Sequence, residues 1–124
     1  MLKIEEGIIY LTHGDDAVLD VNMTNLEGAV YEMQPEDKLI LTVREKPEEN
    51  SAPLFVVESQ IGTARIEIRS TDTDKTDPGQ YSADIQLNTQ DGKRYTVWPD
   101  LEGSARYKTS NFKNFVIMPE VTME

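Results

Sequence analysis

Apolar and polar residues alternate along several short stretches of this chain, with the period of two that is typical of half-buried β-strands. The clearest stretch begins at Tyr81, since every second residue from there to Leu87 is apolar and the residues between them are polar. Pro78 and Gly79 precede it, and both favour a turn at the start of a strand. The pattern predicts a strand with one face in the core.

Further strands are predicted by alternation or by short apolar runs at 8–11, 17–23, 38–44, 54–57, 64–69, 95–98 and 115–118. Asp91-Gly92 favours a hairpin turn, and Ser70 or Thr71 could cap a single helical turn. We expect the last run, which Pro119 follows, to be an edge strand. The chain therefore reads as all-β, an immunoglobulin-like antiparallel β-sandwich of seven to eight strands that spans residues 1–124 as one domain.

The spacing of Asp77, Gly79 and Tyr81 predicts a specific structural corner. A tyrosine at the first inward position of a strand can bury its ring and turn its hydroxyl back to the preceding loop, as in the tyrosine corner of immunoglobulin-like sandwiches. The sequence therefore predicts a hydrogen bond from Tyr81 to the loop before it.

Charge and composition limit the classes of partner. The chain has 124 residues with 12 basic and 23 acidic side chains, a formal net charge of -11, and no cysteine. This negative charge repels phosphate backbones and anionic lipids, so we expect neither nucleic acid nor membrane as a partner. The absence of cysteine excludes a disulfide framework and a thiolate site. Two acids, Glu5 and Glu6, fall where a secretory signal would need apolar residues, so we expect synthesis in a cytoplasm without a signal peptide.

Candidate reactive or metal-binding groups are few. The single histidine, His13, lies in a predicted turn without the partners of a catalytic triad. Asp72, Asp74 and Asp77 could gather around calcium, but their spacing lacks the glycine and the bidentate glutamate of an EF-hand loop. We therefore expect no catalytic set and no cofactor, with these three aspartates as the only metal candidates. A hydrolase that uses scattered acids is a third reading, and it would need two carboxylates across a cleft.

Several aromatic residues lie at the ends of predicted strands, where side chains fill core edges, form interfaces or stack on sugars. The candidates for an interface are Trp98, Tyr107, Phe112 and Phe115.

Several short motifs together resemble a known group of proteins. They are Gly14-Asp15 before an alternating strand, Asp37-x-Leu-x-Leu-Thr-Val, Ile66-x-Ile68, Gly79 to Leu87 with Asp91-Gly92, and Phe115-Val-Ile. This pattern resembles small proteins encoded in the tail modules of bacteriophages and prophages of Gram-positive bacteria, and is similar to the amino-terminal domain of baseplate upper proteins. The segment 100–111 is longer than the crossing expected in that pattern.

The resemblance implies a structural role and transfers no active-site residue. We expect a non-enzymatic component of a phage or prophage tail or baseplate, located in the virion tail, that contacts other tail proteins or further copies of itself. The exposed edge strands, the segment 100–111 and the final apolar strand are the expected contact elements. The alternative is a carbohydrate-binding module that recognises a host-surface glycan through Trp98 or Tyr107.

Overall fold

The computed structural model describes residues 2–5, 7–24, 29–45, 52–98 and 114–119. Within these residues the chain forms nine strands and one helical turn. The elements in order are β1 (Leu2–Glu5), β2 (Ile8–Thr12), β3 (Ala17–Asp20), β4 (Lys38–Arg44), β5 (Pro53–Glu58), β6 (Arg65–Ile68), α1 (Ser70–Thr73), β7 (Gly79–Asn88), β8 (Arg94–Trp98) and β9 (Phe115–Met118). No helix in this part of the chain is long and apolar enough to cross a membrane.

The strands form one large sheet and one small sheet. The large sheet has the order β1-β2-β9-β7-β4-β5, and β8 also pairs with β7. The small sheet consists of β3 and β6, paired antiparallel. The all-β, sandwich-like fold predicted from the alternation is confirmed.

The core lies where the alternating positions predict it. Leu39, Leu41 and Val43 of β4 are fully buried, and they pair with the inward residues of β7. Inward residues of the small sheet, among them Ile66 and Ile68, belong to the same apolar cluster. Because the strand period fixes which side chains share a face, the binary pattern alone placed these residues correctly.

The position of the last strand, β9, differs from the prediction. It was expected at an edge, but β9 lies inside the large sheet, parallel to β2 on one side and antiparallel to β7 on the other. The sheet is therefore mixed. Parallel pairing is accessible here because β2 and β9 are far apart in sequence and no hairpin constrains their direction.

Two local elements also differ from expectation. The strand β1 was missed although its apolar and polar residues alternate, because a run of only four residues is a weak signal for a strand. The helical turn α1 begins after Arg69, which is its N-cap in place of Ser70 or Thr71. Two carboxylates bind the N–H groups at this end, since Asp72 accepts from Arg69 N and Asp16 accepts from Ser70 N, each at 2.7 Å. This satisfies donors that a helix end leaves unpaired.

Candidate binding surfaces

A buried carboxylate, Asp37, holds together one end of the fold. It lies just before β4, is 0 % exposed, and accepts three hydrogen bonds. One oxygen accepts from the Tyr31 hydroxyl and from Gln34 N at 2.9 Å, and the other accepts from Gln90 N at 2.8 Å. A buried charge is tolerated when donors surround it in this way.

The backbone of Asp37 brings in a third loop. Its carbonyl accepts from Gly62 N at 2.7 Å. Gly62 has φ +81°, and a Cβ at this position would lie 2.9 Å from the carbonyl oxygen of Pro35, so only glycine fits without strain. Asp37 therefore fixes its own segment 31–37, the turn at 59–63 and the β7–β8 hairpin at 89–93 relative to one another.

The two partners shift each other's protonation. The hydrogen bond to Asp37, together with burial and the nearby negative charge, raises the pKa of Tyr31 to about 12. Burial alone would raise the pKa of Asp37, but the hydrogen bonds from Tyr31, Gln34 and Gln90 outweigh it and lower that pKa. At neutral pH the pair is thus a phenol that donates to a carboxylate.

A shallow cleft of about 290 Å³ opens between the segment 31–37 and the β7–β8 hairpin. We call it the Asp37 cleft. Its lining, besides Asp37 and Thr89, consists of Tyr31, Gln34, Gln90, Asp91, Lys93 and Tyr95. Tyr95 is 51 % exposed, so the lining of the cleft includes an aromatic residue that is open to solvent.

A second candidate surface is the free edge of β5. Within the described residues β5 pairs only with β4, and the ladder shows which peptide groups face away from β4. The N–H of Ala83 donates to the side chain of Asn114 and its C=O accepts from the same side chain, so both groups point away from β4. Val43, which lies opposite Ala83 on β4, therefore points its own N–H and C=O away from β7 and toward β5. The bond from Ser59 N to Leu39 O follows the same alternation.

The free edge therefore carries the peptide groups of Leu54, Val56 and Glu58, because groups alternate along an antiparallel strand. Leu54 and Val56 are also 43 % and 44 % exposed on the outer face of the sheet. Unpaired strand edges with apolar side chains are a template for strand addition. The outer edge of β5 has these two features, an unpaired edge and exposed apolar side chains, within the described residues.

Asn114 connects β9 with the interior of β7. It is 1 % exposed, and its amide makes two hydrogen bonds to the backbone of Ala83, at 2.7 Å and 2.9 Å. Its own N–H donates to Tyr81 O at 3.0 Å. The side chain thus replaces a strand peptide in the gap between β9 and β8, which both lie along the same edge of β7.

The predicted corner is present as geometry. The Tyr81 hydroxyl donates to the carbonyl of Asp77 at 2.5 Å, and a Cβ on Gly79 would lie 3.3 Å from that hydroxyl. Burial, followed by the nearby acids Asp77 and Glu45, raises the pKa of Tyr81. The hydroxyl is therefore used to fasten the loop before β7.

The metal candidates do not come together. Among the described residues, no group of three or more histidine or acidic side chains could hold an ion, so Asp72, Asp74 and Asp77 form no ligand set. Asp72 instead caps α1. His13 lies in the turn after β2, where its backbone N–H donates to the backbone carbonyl of Met118 at 2.8 Å.

The aromatic candidates for an interface divide into three cases. Phe115 is 0 % exposed and packs edge-on against Phe55 with ring centres 6.0 Å apart, so its prediction as a contact residue is wrong. The reason is that β9 is an interior strand. Trp98 is half-buried and packs against the core, while Tyr107, Phe112 and the segment 100–111 lie outside the described residues.

Sequence reasoning missed the roles of Asp37 and Asn114. Asp37 is the first residue of the Asp-x-Leu-x-Leu-Thr-Val motif. An acidic residue directly before a buried strand is a signal for a carboxylate that binds loop N–H groups. Asn114 offers no such signal, because its partner Ala83 is 31 residues away in the chain.

No protein-family model, curated protein or solved structure matches the chain. The resemblance to phage tail-module proteins therefore remains a prediction from the sequence motifs.

Proposed function

We propose that this protein is a non-enzymatic structural module of a bacteriophage or prophage tail or baseplate that acts through protein–protein contacts. The observation that best supports the proposal is the outer edge of β5, which has no strand partner within the described part of the chain and carries two exposed apolar side chains, Leu54 and Val56. Strand addition at such an edge uses main-chain hydrogen bonds for affinity and alternate side chains for specificity. The phage assignment itself rests on the sequence motifs.

The net charge of -11 adds a condition on the partner. Like charges repel, so a partner with basic surface is favoured over another acidic chain in dilute salt. Assembly with co-encoded tail proteins is thus the leading form of the proposal, and self-association is the weaker form.

The test combines co-expression with the tail proteins encoded beside this gene and multi-angle light scattering of the purified sample over a concentration series. A complex or a concentration-dependent oligomer is expected for the unchanged protein. The double variant Leu54→Lys, Val56→Lys should lose it, because two charged side chains then replace the apolar contacts that the partner strand would make on the outer face of the sheet and also repel a basic partner. Val18→Lys is a control for added positive charge at an exposed apolar position, since Val18 is 45 % exposed on the small sheet. A strict monomer that binds none of those proteins would contradict the proposal.

A further inference from the structure

The Asp37 cleft combines aromatic surface with negative charge. Tyr31 and Tyr95 both line it, and the Tyr31 hydroxyl already donates to a buried carboxylate. Aromatic faces carry negative electrostatic potential and attract cations that lie over them. The ionised carboxylate of Asp37, which accepts the hydrogen bond from the Tyr31 hydroxyl, adds to that attraction.

Charge in the cleft selects the class of ligand. The charged lining groups are two carboxylates, Asp37 and Asp91, and one ammonium, Lys93. A hydrogen bond from Thr89 is the main cause that lowers the pKa of Asp91, so this group is ionised at neutral pH. The lining therefore carries net negative charge within a strongly acidic chain, which disfavours anions and favours a cation.

Hydrogen-bond acceptors favour a planar cation. The amide nitrogen of Gln34 donates to Glu32 O at 3.0 Å, which leaves its amide oxygen as an acceptor within the described residues. The oxygen of Tyr31 and the carboxylate of Asp91 are further acceptors. Lys93 competes only weakly for Asp91, because their charges are 3.8 Å apart and both side chains are more than half exposed. A guanidinium group can stack on a tyrosine ring and donate to several acceptors in its plane, whereas an ammonium is a compact, strongly hydrated charge.

We propose that the Asp37 cleft receives the guanidinium group of an arginine side chain on a partner protein. The proposal rests on the proposed function, because it gives the chemistry of one contact that a partner would make. Rigidity supports it, since Asp37 fixes both walls of the cleft before any partner arrives, and a preformed site loses less conformational freedom on binding. No residue of β5 lines the cleft, so a partner that uses both surfaces would be held at two points.

The test is a nuclear magnetic resonance titration of the full chain with N-acetyl-arginine-methylamide. The backbone amides of Gln90 and Lys93 should shift in a saturable way at millimolar concentrations. The citrulline analogue has nearly the same shape without the charge and should cause no saturable shift. Methyl glucoside and choline complete the set: saturable binding of the glucoside, or choline binding as tight as that of arginine, would overturn the choice of guanidinium.

Paired variants locate the site. Asp91→Asn should weaken arginine binding roughly twofold to fivefold, while Asp74→Asn makes the same change in net charge at an exposed position outside the cleft and should leave binding unchanged. Tyr95→Ala should weaken binding by a similar roughly twofold to fivefold factor through loss of the cation–π contact. Thr96→Ala, on the other face of β8, is its control.

Equal effects of the two aspartate variants would show a diffuse charge effect and would refute the cleft. Absence of any arginine-specific shift would also refute it. Neither result bears on complex formation through β5, which is measured separately with tail proteins, so failure of this proposal can be distinguished from failure of the proposed function.

Discussion

Replacing Asp37 by asparagine tests whether one carboxylate organises the loop end of the fold. The side chain keeps its size, but only one of its two terminal atoms can still accept hydrogen bonds. If the amide oxygen stays beside Tyr31 and Gln34, the amide nitrogen faces Gln90 N–H, and two donors meet. One bond is lost, and the other two lose their charged acceptor.

Hydrogen bonds to charged groups contribute about 1.5–3 kcal/mol and neutral ones about 0.5–1.5 kcal/mol. Gln90 is exposed, so water can replace part of the lost bond. We therefore expect Asp37→Asn to lower the free energy of unfolding at pH 7 by about 2–3 kcal/mol. Tyr31→Phe keeps both N–H donors on the carboxylate and should cost less, about 1–2 kcal/mol.

The pH dependence has a defined sign. The pKa of Asp37 is lowered in the folded protein, so its contribution is present above the unfolded value of about 3.9 and is lost as the pH falls through the folded pKa. Urea unfolding at a series of pH values should show the largest gap between the unchanged protein and Asp37→Asn at neutral pH and a smaller gap in acid. A gap under about 0.5 kcal/mol at pH 7, or one that persists unchanged in acid, would refute the reasoning.

Three further substitutions test other parts of the fold by urea unfolding. Gly62→Ala should destabilise more than Gly92→Ala, since both have positive φ but only the first brings a Cβ to 2.9 Å from a carbonyl oxygen; equal losses would contradict the close approach. Asn114→Ala leaves both backbone groups of Ala83 unpaired in the interior and should cost about 2–4 kcal/mol; a loss below about 1 kcal/mol would count against that bridge. Phe115→Ala removes a fully buried ring and should cost about 3–5 kcal/mol, whereas an interface residue would leave the isolated protein's stability unchanged.

The sequence determined which faces of the strands are buried but not how the strands are ordered. Alternation placed Leu39, Leu41 and Ile85 in the core because the strand period is a local property. The position of β9 depends on pairing with β2, which lies more than 100 residues earlier in the chain. No local pattern distinguishes an edge strand from an interior one when the apolar run is only four residues long. Phe115 was misassigned for that reason.

The candidate surfaces were harder to predict than the core. The β5 edge follows from sheet order and from the parity of the ladder, neither of which a continuous apolar run such as Leu54 to Val57 reveals. The Asp37 cleft forms from loops that are adjacent only after folding, with Gln90 lying 53 residues from its acceptor. Composition contributed only the expectation that nucleic acid and anionic membranes are not partners, because the net charge of -11 follows from the sequence without a structure.

Hydrogen–deuterium exchange of the protein, alone and mixed with any partner that the co-expression test identifies, tests most directly the proposal that this protein works by contact at the β5 edge. The amides of Leu54, Val56 and Glu58 should exchange fast in the free protein and become protected in the complex, whereas those of Phe55 and Val57, which face β4, should be protected in both. Slow exchange at the edge in the free protein, or a complex that leaves these three amides fast, would contradict the account.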